Sequence, residues 1–165
     1  MAAVHLPARL LDPAHAAAAV LVERGETLAV AESSAGGLIS AALLSFPGAS
    51  RFYRGGFVVY TLDGARAQLA RATTPAPQPL RGACEPFVRY LAAAAAELLG
   101  ADRAVAETGT TGPSANPYGD PPGHAWVAVI PGPAEHVLTG NGDRDANMVE
   151  FAARALELLR RTLAG

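Results

Sequence analysis

The sequence predicts an α/β protein, a single-domain three-layer α/β/α sandwich built around a mixed sheet. Three observations carry this expectation. Short apolar runs at residues 27–31, 51–61 and 103–107 alternate with longer Ala- and Leu-rich segments, the order that builds parallel strands with crossover helices. Two later runs, 124–130 and 136–139, are joined by Pro131, Gly132, Pro133 and Ala134 and read as an antiparallel hairpin, which makes the sheet mixed. The chain has 165 residues, 50% of them hydrophobic and 17% charged, which suits one globular domain with a core that needs no disulfides.

In chain order, residues 7–24 are expected to be helical, with Asp12 before Pro13 as a candidate N-cap and Gly25 as the stop. A strand over 27–31 leads through Glu32, Ser33, Ser34, Ala35, Gly36 and Gly37 into a helix over 36–44. Residues 51–61 hold Phe52, Tyr53, Phe57, Val58, Val59 and Tyr60, the densest aromatic and β-branched stretch, so a strand is expected, bent at Gly55 and Gly56. A short helix over 62–72 and a proline-broken loop over 73–78 follow. A long helix runs from Glu85 to Leu99, with Pro86 in its first turn and Gly100 as its stop. Residues 103–107 form a buried strand and 108–123 a long Gly/Pro/Ser/Asn loop, a length often reserved for function. A helix over 145–163 closes the chain.

The composition narrows the function classes. The formal charge is −2 and no basic cluster is present, so nucleic acid is not expected as a partner. Residues 16–22 are apolar, but Glu23 and Arg24 end the run well short of a membrane span. The N-terminus lacks the pattern of a signal peptide, and a soluble cytoplasmic protein is expected. Cys84 is the only cysteine, and His5, His15 and His136 are scattered, so neither a disulfide framework nor a metal site is expected. No cofactor is implied. All 13 basic side chains are arginine, a pattern that accords with a GC-rich coding bias and leaves no lysine amine to serve as a base. α/β enzymes of this size commonly form symmetric assemblies, so a homo-oligomer is compatible with the chain.

Three polar, glycine-bearing segments follow strand-like runs: 32–37, 108–112 and 140–145. Ligands of open α/β folds bind beyond the carboxyl ends of strands. The first segment, between a strand and a helix, suggests either an anion cradle at a helix N-terminus or a serine nucleophile turn. Thr108, Gly109, Thr110 and Gly112 supply hydroxyls and flexible backbone suited to phosphate or amide oxygen, or form an ordinary turn.

The ordered motifs A-E-S-S-A-G-G (31–37), P-G-A-S (47–50), G-G-F-V-V-Y-T (55–61), C-E-P (84–86), T-G-T-T-G-P (108–113), P-P-G-H (121–124) and G-D-R-D (142–145) resemble those of the CinA C-terminal domain family, the nicotinamide mononucleotide deamidases. The resemblance spans nearly the whole chain as one domain of the stand-alone form. It implies hydrolysis of the carboxamide of nicotinamide mononucleotide by a serine paired with a neutral lysine. The resemblance implies Ser33 as the nucleophile, Ser50 and Tyr60 as further catalytic positions, and Glu32, Gly36, Gly37, Thr108, Gly109, Thr110 and Gly112 as ligand-binding. Arg144 becomes a phosphate partner, because its fork binds phosphate bidentately.

The sequence also departs from the family pattern. The lysine position falls on Ala65, with Arg66 next to it, and arginine does not release its proton near neutral pH. Ala35 and Leu62 replace a threonine and an asparagine, and Asn147 and Met148 occupy the stretch where a second arginine is expected. His124, with an unperturbed pKa near about 6.5, is the best replacement base; its alternative is a strand-end histidine without a catalytic role. Glu32 and Asp63 are poor bases unless buried. Ser34 and Cys84 read as small packing residues. Three functions stay open: a nucleotide amidohydrolase, a catalytically silent relative that binds a nucleotide or a protein partner, and another serine hydrolase using Ser33 and His124.

Overall fold

Helix α1 (Ala8–Arg24) begins directly after Pro7 and continues through Pro13, so Asp12 is not its cap. The missing backbone bond at Pro13 is outweighed by the buried stripe of Leu10, Ala14, Ala17, Ala18 and Leu21. In the computed structural model residues 5–165 are described. Residues 1–4, the start of the N-terminal stretch in which no signal peptide is expected, lie outside the described residues.

There follow β1 (Leu28–Glu32), α2 (Leu38–Leu44), a 3-10 turn (Ala49–Arg51), β2 (Tyr53–Val58), α3 (Leu62–Gln68) and α4 (Glu85–Leu99). The chain ends with β3 (Arg103–Thr110), β4 (His124–Ile130), β5 (Ala134–Leu138) and α5 (Arg144–Ala164). The sheet order is β2-β1-β3-β4-β5, with β1 parallel to β2 and β3, and the β3-β4-β5 side antiparallel. The fold is therefore the expected α/β sandwich with a mixed sheet.

Each face of the sheet has its own core, because alternate strand side chains point to opposite sides. Leu28, Val30, Val105, Val127 and Val129 pack under α1, α2 and α5, with Phe151, Leu156 and Leu159 from the last helix. Ala29, Ala31, Ala104, Ala106 and Ala128 face α4 and α3. Alanines on the sheet meet Ala92, Ala94 and Ala95 of α4, so helix and sheet approach closely. Each fully buried large apolar side chain contributes about 1.5–3 kcal/mol.

Strand β3 outruns its expected end at Glu107 and carries Thr108, Gly109 and Thr110 into the sheet. The cause is tertiary: β4 supplies partners for all three, with Thr108 opposite Trp126, Gly109 opposite Ala125 and Thr110 opposite His124. Among the described residues no helix is long and apolar enough to cross a membrane.

Candidate functional site

Two carboxylates, Glu32 at the end of β1 and Glu107 beside it within β3, are paired in register and both completely buried. Burying an ionised carboxylate costs several kcal/mol unless donors surround it. Glu32 meets four of them. Its Oε2 accepts the N–H groups of Gly37 (2.9 Å) and Ile39 (3.1 Å), and its Oε1 accepts the Ser40 N–H (3.0 Å) and hydroxyl (2.7 Å). It thereby caps α2, whose own N-cap residue, Gly37, brings no side chain.

Glu107 holds the turn itself. Its Oε2 accepts the N–H groups of Ser33 (3.1 Å) and Ala35 (2.8 Å), and its Oε1 accepts a short hydrogen bond from the Ser34 hydroxyl. Burial dominates its titration and pushes the carboxyl from an ordinary 4.5 up to about 7. The bonds from Ser34, Ala35 and Ser33 pull the value down, and the charge of Glu32 pushes it up.

The anion cradle expected at this turn is thus filled by the protein's own side chains. Glu32, expected at the ligand, is a helix cap instead. Gly37 donates its N–H to that cap, and Gly36 is backed by Met148, whose Cε lies 2.9 Å from where a Cβ would stand. Neither glycine lines the cleft.

The cleft opens beyond the carboxyl ends of β1 and β3 and has two adjoining chambers. The first, about 200 Å³, has Ser33, Thr108 and Gly109 at the strand ends and Val59, Phe87 and Tyr118 among its walls. The second, about 240 Å³, is lined by Ser34, Thr110, Gly112, Ser114 and Arg144. Tyr60, Gly109 and Asn116 border both. Arg144, at the start of α5, donates to the Tyr60 hydroxyl (2.9 Å) and to the Gly112 carbonyl (3.0 Å), tying the segment after β2, the loop after β3 and α5 together. Gly109 is required by close approach: a Cβ there would stand 2.6 Å from Ala125 Cβ and 2.8 Å from the His124 carbonyl.

Of the residues singled out in the sequence, Ser33, Tyr60, Thr108, Gly109, Thr110, Gly112 and Arg144 come together here. Thr108 Oγ1 accepts the Ala83 N–H (3.1 Å) and Thr110 Oγ1 accepts from Asn116 (2.9 Å), so both hydroxyls also brace the walls. Ser50 does not join them. It is exposed on the 3-10 turn before β2, whereas Ser33 follows the end of β1. Because β1 and β2 are parallel, the two serines lie at opposite ends of the sheet, a strand length of roughly 17–20 Å apart.

His124 is not placed as a base for Ser33. Its Nε2–H donates to the Ala83 carbonyl (2.8 Å) and its Nδ1 accepts from His136 Nε2 (2.9 Å), a neutral tautomer assigned from these partners. Burial, and the neighbouring His124 after it, lower the His136 pKa below 6.5 and favour the neutral form of His136. His124 fixes Ala83, a chamber-wall residue held at φ 51°. Ala65 is buried against α4, and Arg66 pairs with Asp63 outside the cleft (2.7 Å). Asn147, where a second arginine is expected, is buried and bonds the Thr111 carbonyl (2.8 Å), the Asn141 carbonyl (2.7 Å) and the Thr139 hydroxyl (2.7 Å). It locks the loops that carry Gly112 and Arg144.

Sequence inspection missed Glu107 as a functional residue and assigned Ser34 to packing. A signal was present: Ala-Val-Ala-Glu occurs twice, at 29–32 and 104–107. Each copy closes an apolar run with a carboxylate and precedes a hydroxyl residue.

The fold and the cleft define a small α/β domain with a ligand site at the carboxyl ends of its central strands. The chain belongs to the CinA family: the model of the CinA C-terminal domain matches residues 12–163. It is 35% identical over 161 residues to a putative competence-damage inducible protein of Symbiobacterium thermophilum, covering 88% of this chain and 37% of that protein. A CinA-like protein of Mycobacterium marinum is 36% identical over 141 residues, covering 83% of this chain and 33% of that one. The chain thus spans about a third of the length of the curated relatives it matches. Among solved structures, the competence/damage inducible protein CihA of Agrobacterium tumefaciens superposes with a TM-score of 0.84 at 27% identity, covering 99% of this chain and 100% of that one. A CinA superfamily protein of Escherichia coli gives 0.80 at 27% identity, with 96% and 94% covered.

Proposed function

We propose that the cleft binds a pyridine mononucleotide, nicotinamide mononucleotide in particular, with its ring in the first chamber, its carboxamide against Ser33 and its phosphate at Arg144. One observation carries this: a single cleft has an apolar, serine-bearing end and a cationic end, joined through Tyr60 and Gly109. An aromatic amide joined to a phosphate presents the same order of groups. The Arg144 guanidinium exchanges its hydrogen bonds to Tyr60 and Gly112 for the phosphate oxygens, which it grips more strongly because both partners are charged. The family resemblance points to the same ligand.

Ser33 meets the amide without a base beside it. The chain has no lysine, and among the described residues no Asp, Glu or His lines the first chamber. Binding without Ser33-dependent turnover is therefore the function we assign. A second possibility, amide hydrolysis with Ser33 as nucleophile, is favoured by its setting. Ser33 lines the chamber, and its hydroxyl has no hydrogen-bond partner among the described residues.

Thermal unfolding with and without millimolar nicotinamide mononucleotide tests the assignment. A ligand at a hundred times its Kd stabilises by about 2.7 kcal/mol, and Arg144→Ala is expected to remove most of that shift. Ammonia release by the native chain is expected to equal that of Ser33→Ala. An absent shift sinks the binding site, and ammonia release that depends on Ser33 establishes the second possibility.

A further inference from the structure

The molecule contains two buried glutamate–serine pairs with different surroundings. In the first, Glu32 accepts the Ser40 hydroxyl, and all its remaining capacity goes to backbone N–H groups of α2. Ser40 lines neither chamber. The second pair is open. Glu107 has one oxygen held by the Ser33 and Ala35 N–H groups, while the other meets a single partner, the Ser34 hydroxyl. Ser34 lines the second chamber, the one that also holds Arg144.

We infer that Ser34 and Glu107 form a nucleophile–base dyad, distinct from Ser33, that opens on the Arg144 chamber and acts on an amide or ester of a small anionic molecule. The choice of an anionic substrate rests on the nucleotide-binding function proposed above; the dyad itself rests on the Ser34–Glu107 contact. In the reaction, the Ser34 oxygen bonds to the carbonyl carbon as its proton passes to Glu107. The carbon–nitrogen (or carbon–oxygen) bond breaks, and Glu107 returns that proton to the departing amine or alcohol. A water molecule then gives a proton to Glu107 and attacks the acyl-serine; Ser34 takes the proton back and the acid is released.

Geometry and electrostatics agree on this role. A general base must lie within hydrogen-bond reach of the proton it takes and works best when its pKa is near the working pH. Burial has raised the Glu107 carboxyl to about 7, where a free glutamate is too weak a base. The ionisable and charged groups facing the dyad are Glu32 alongside on β1 and Tyr60 and Arg144 across the chamber.

A fluorophosphonate probe tests the dyad without any assumed substrate. The serine oxygen displaces fluoride from phosphorus while its proton passes to the base, and peptide mass spectrometry locates the adduct in the native chain. The adduct is expected on Ser34, with a labelling rate that rises through pH about 7 and levels off above it. In Glu107→Gln the rate should fall about 100-fold, the low end of what a general base contributes. Glutamine keeps an acceptor for the two N–H groups, and circular dichroism verifies its fold. Should that variant not fold, the adduct site and pH profile of the native chain decide. An adduct on Ser33, no adduct on either serine, or Ser34 labelling that is independent of pH overturns the dyad. Labelled Ser34 in a chain that shows no thermal shift with nicotinamide mononucleotide supports the dyad and removes only the nucleotide.

Discussion

Replacing Glu107 by glutamine tests the physical basis of the site in a way that activity cannot. In the unfolded chain the carboxyl titrates near its ordinary 4.5, and in the folded protein near 7. Below pH 4.5 it is protonated in both states and adds no pH dependence. Between 4.5 and 7 the unfolded chain releases the proton while the folded protein keeps it, so stability falls as pH rises. The loss is complete above about 7. At about 1.36 kcal/mol for each tenfold change in proton concentration, the interval corresponds to about 3 kcal/mol. Glutamine has the same shape: its carbonyl oxygen takes the Ser33 and Ala35 N–H groups, and its amide donates to Ser34 instead of accepting. It does not titrate. Urea unfolding of both proteins between pH 4 and 8 should show the native chain losing about 3 kcal/mol relative to Glu107→Gln over that range. Other carboxylates contribute equally to both proteins and cancel in the difference. Parallel stability curves would refute the assignment of a buried, strained carboxylate at this position.

Three further outcomes follow from the same geometry. Glu32→Ala strands buried donors at the start of α2 and should cost at least about 2–3 kcal/mol in urea unfolding, since each unsatisfied donor costs about 1–3 kcal/mol. Gly109→Ala drives a methyl group into Ala125 and the His124 carbonyl, so about 1–3 kcal/mol of overpacking should appear as a lower Tm. Glu97, held near 2 by the N–H and hydroxyl groups of Thr73 and Thr74, has the opposite sign to Glu107. Its contribution is present above pH 4.5 and lost as pH falls towards 2, so Glu97→Gln should flatten the acid limb of the stability curve.

The elements were legible in the sequence where local signals suffice. The helix from Glu85 to Leu99 matches its expected bounds, because Pro86 in the first turn and Gly100 after the last leave little choice of register. Strand β3 was read three residues short, because Thr108, Gly109 and Thr110 have weak strand character alone and are ordered by β4. Ser50 and His124 were attractive as types of residue, but their positions depend on strand direction and on the partners that already occupy them.

The sequence by itself determined the layered α/β architecture, the family, the absence of lysine, and the cleft residues Ser33, Tyr60, Gly109 and Arg144. Alternating apolar patterns and glycine positions are local properties, and they survive in a linear string. Only the tertiary structure decided what the turn at residues 32–37 does. Pairing β1 with β3 brings Glu107 beneath it from 75 residues away, a separation set by Glu32 standing opposite Glu107 in the sheet. A buried carboxylate must collect donors from whatever surrounds it. The turn therefore spends its backbone N–H groups on Glu32 and Glu107, brings the Ser34 hydroxyl onto Glu107, and leaves the Ser33 hydroxyl without a hydrogen-bond partner among the described residues.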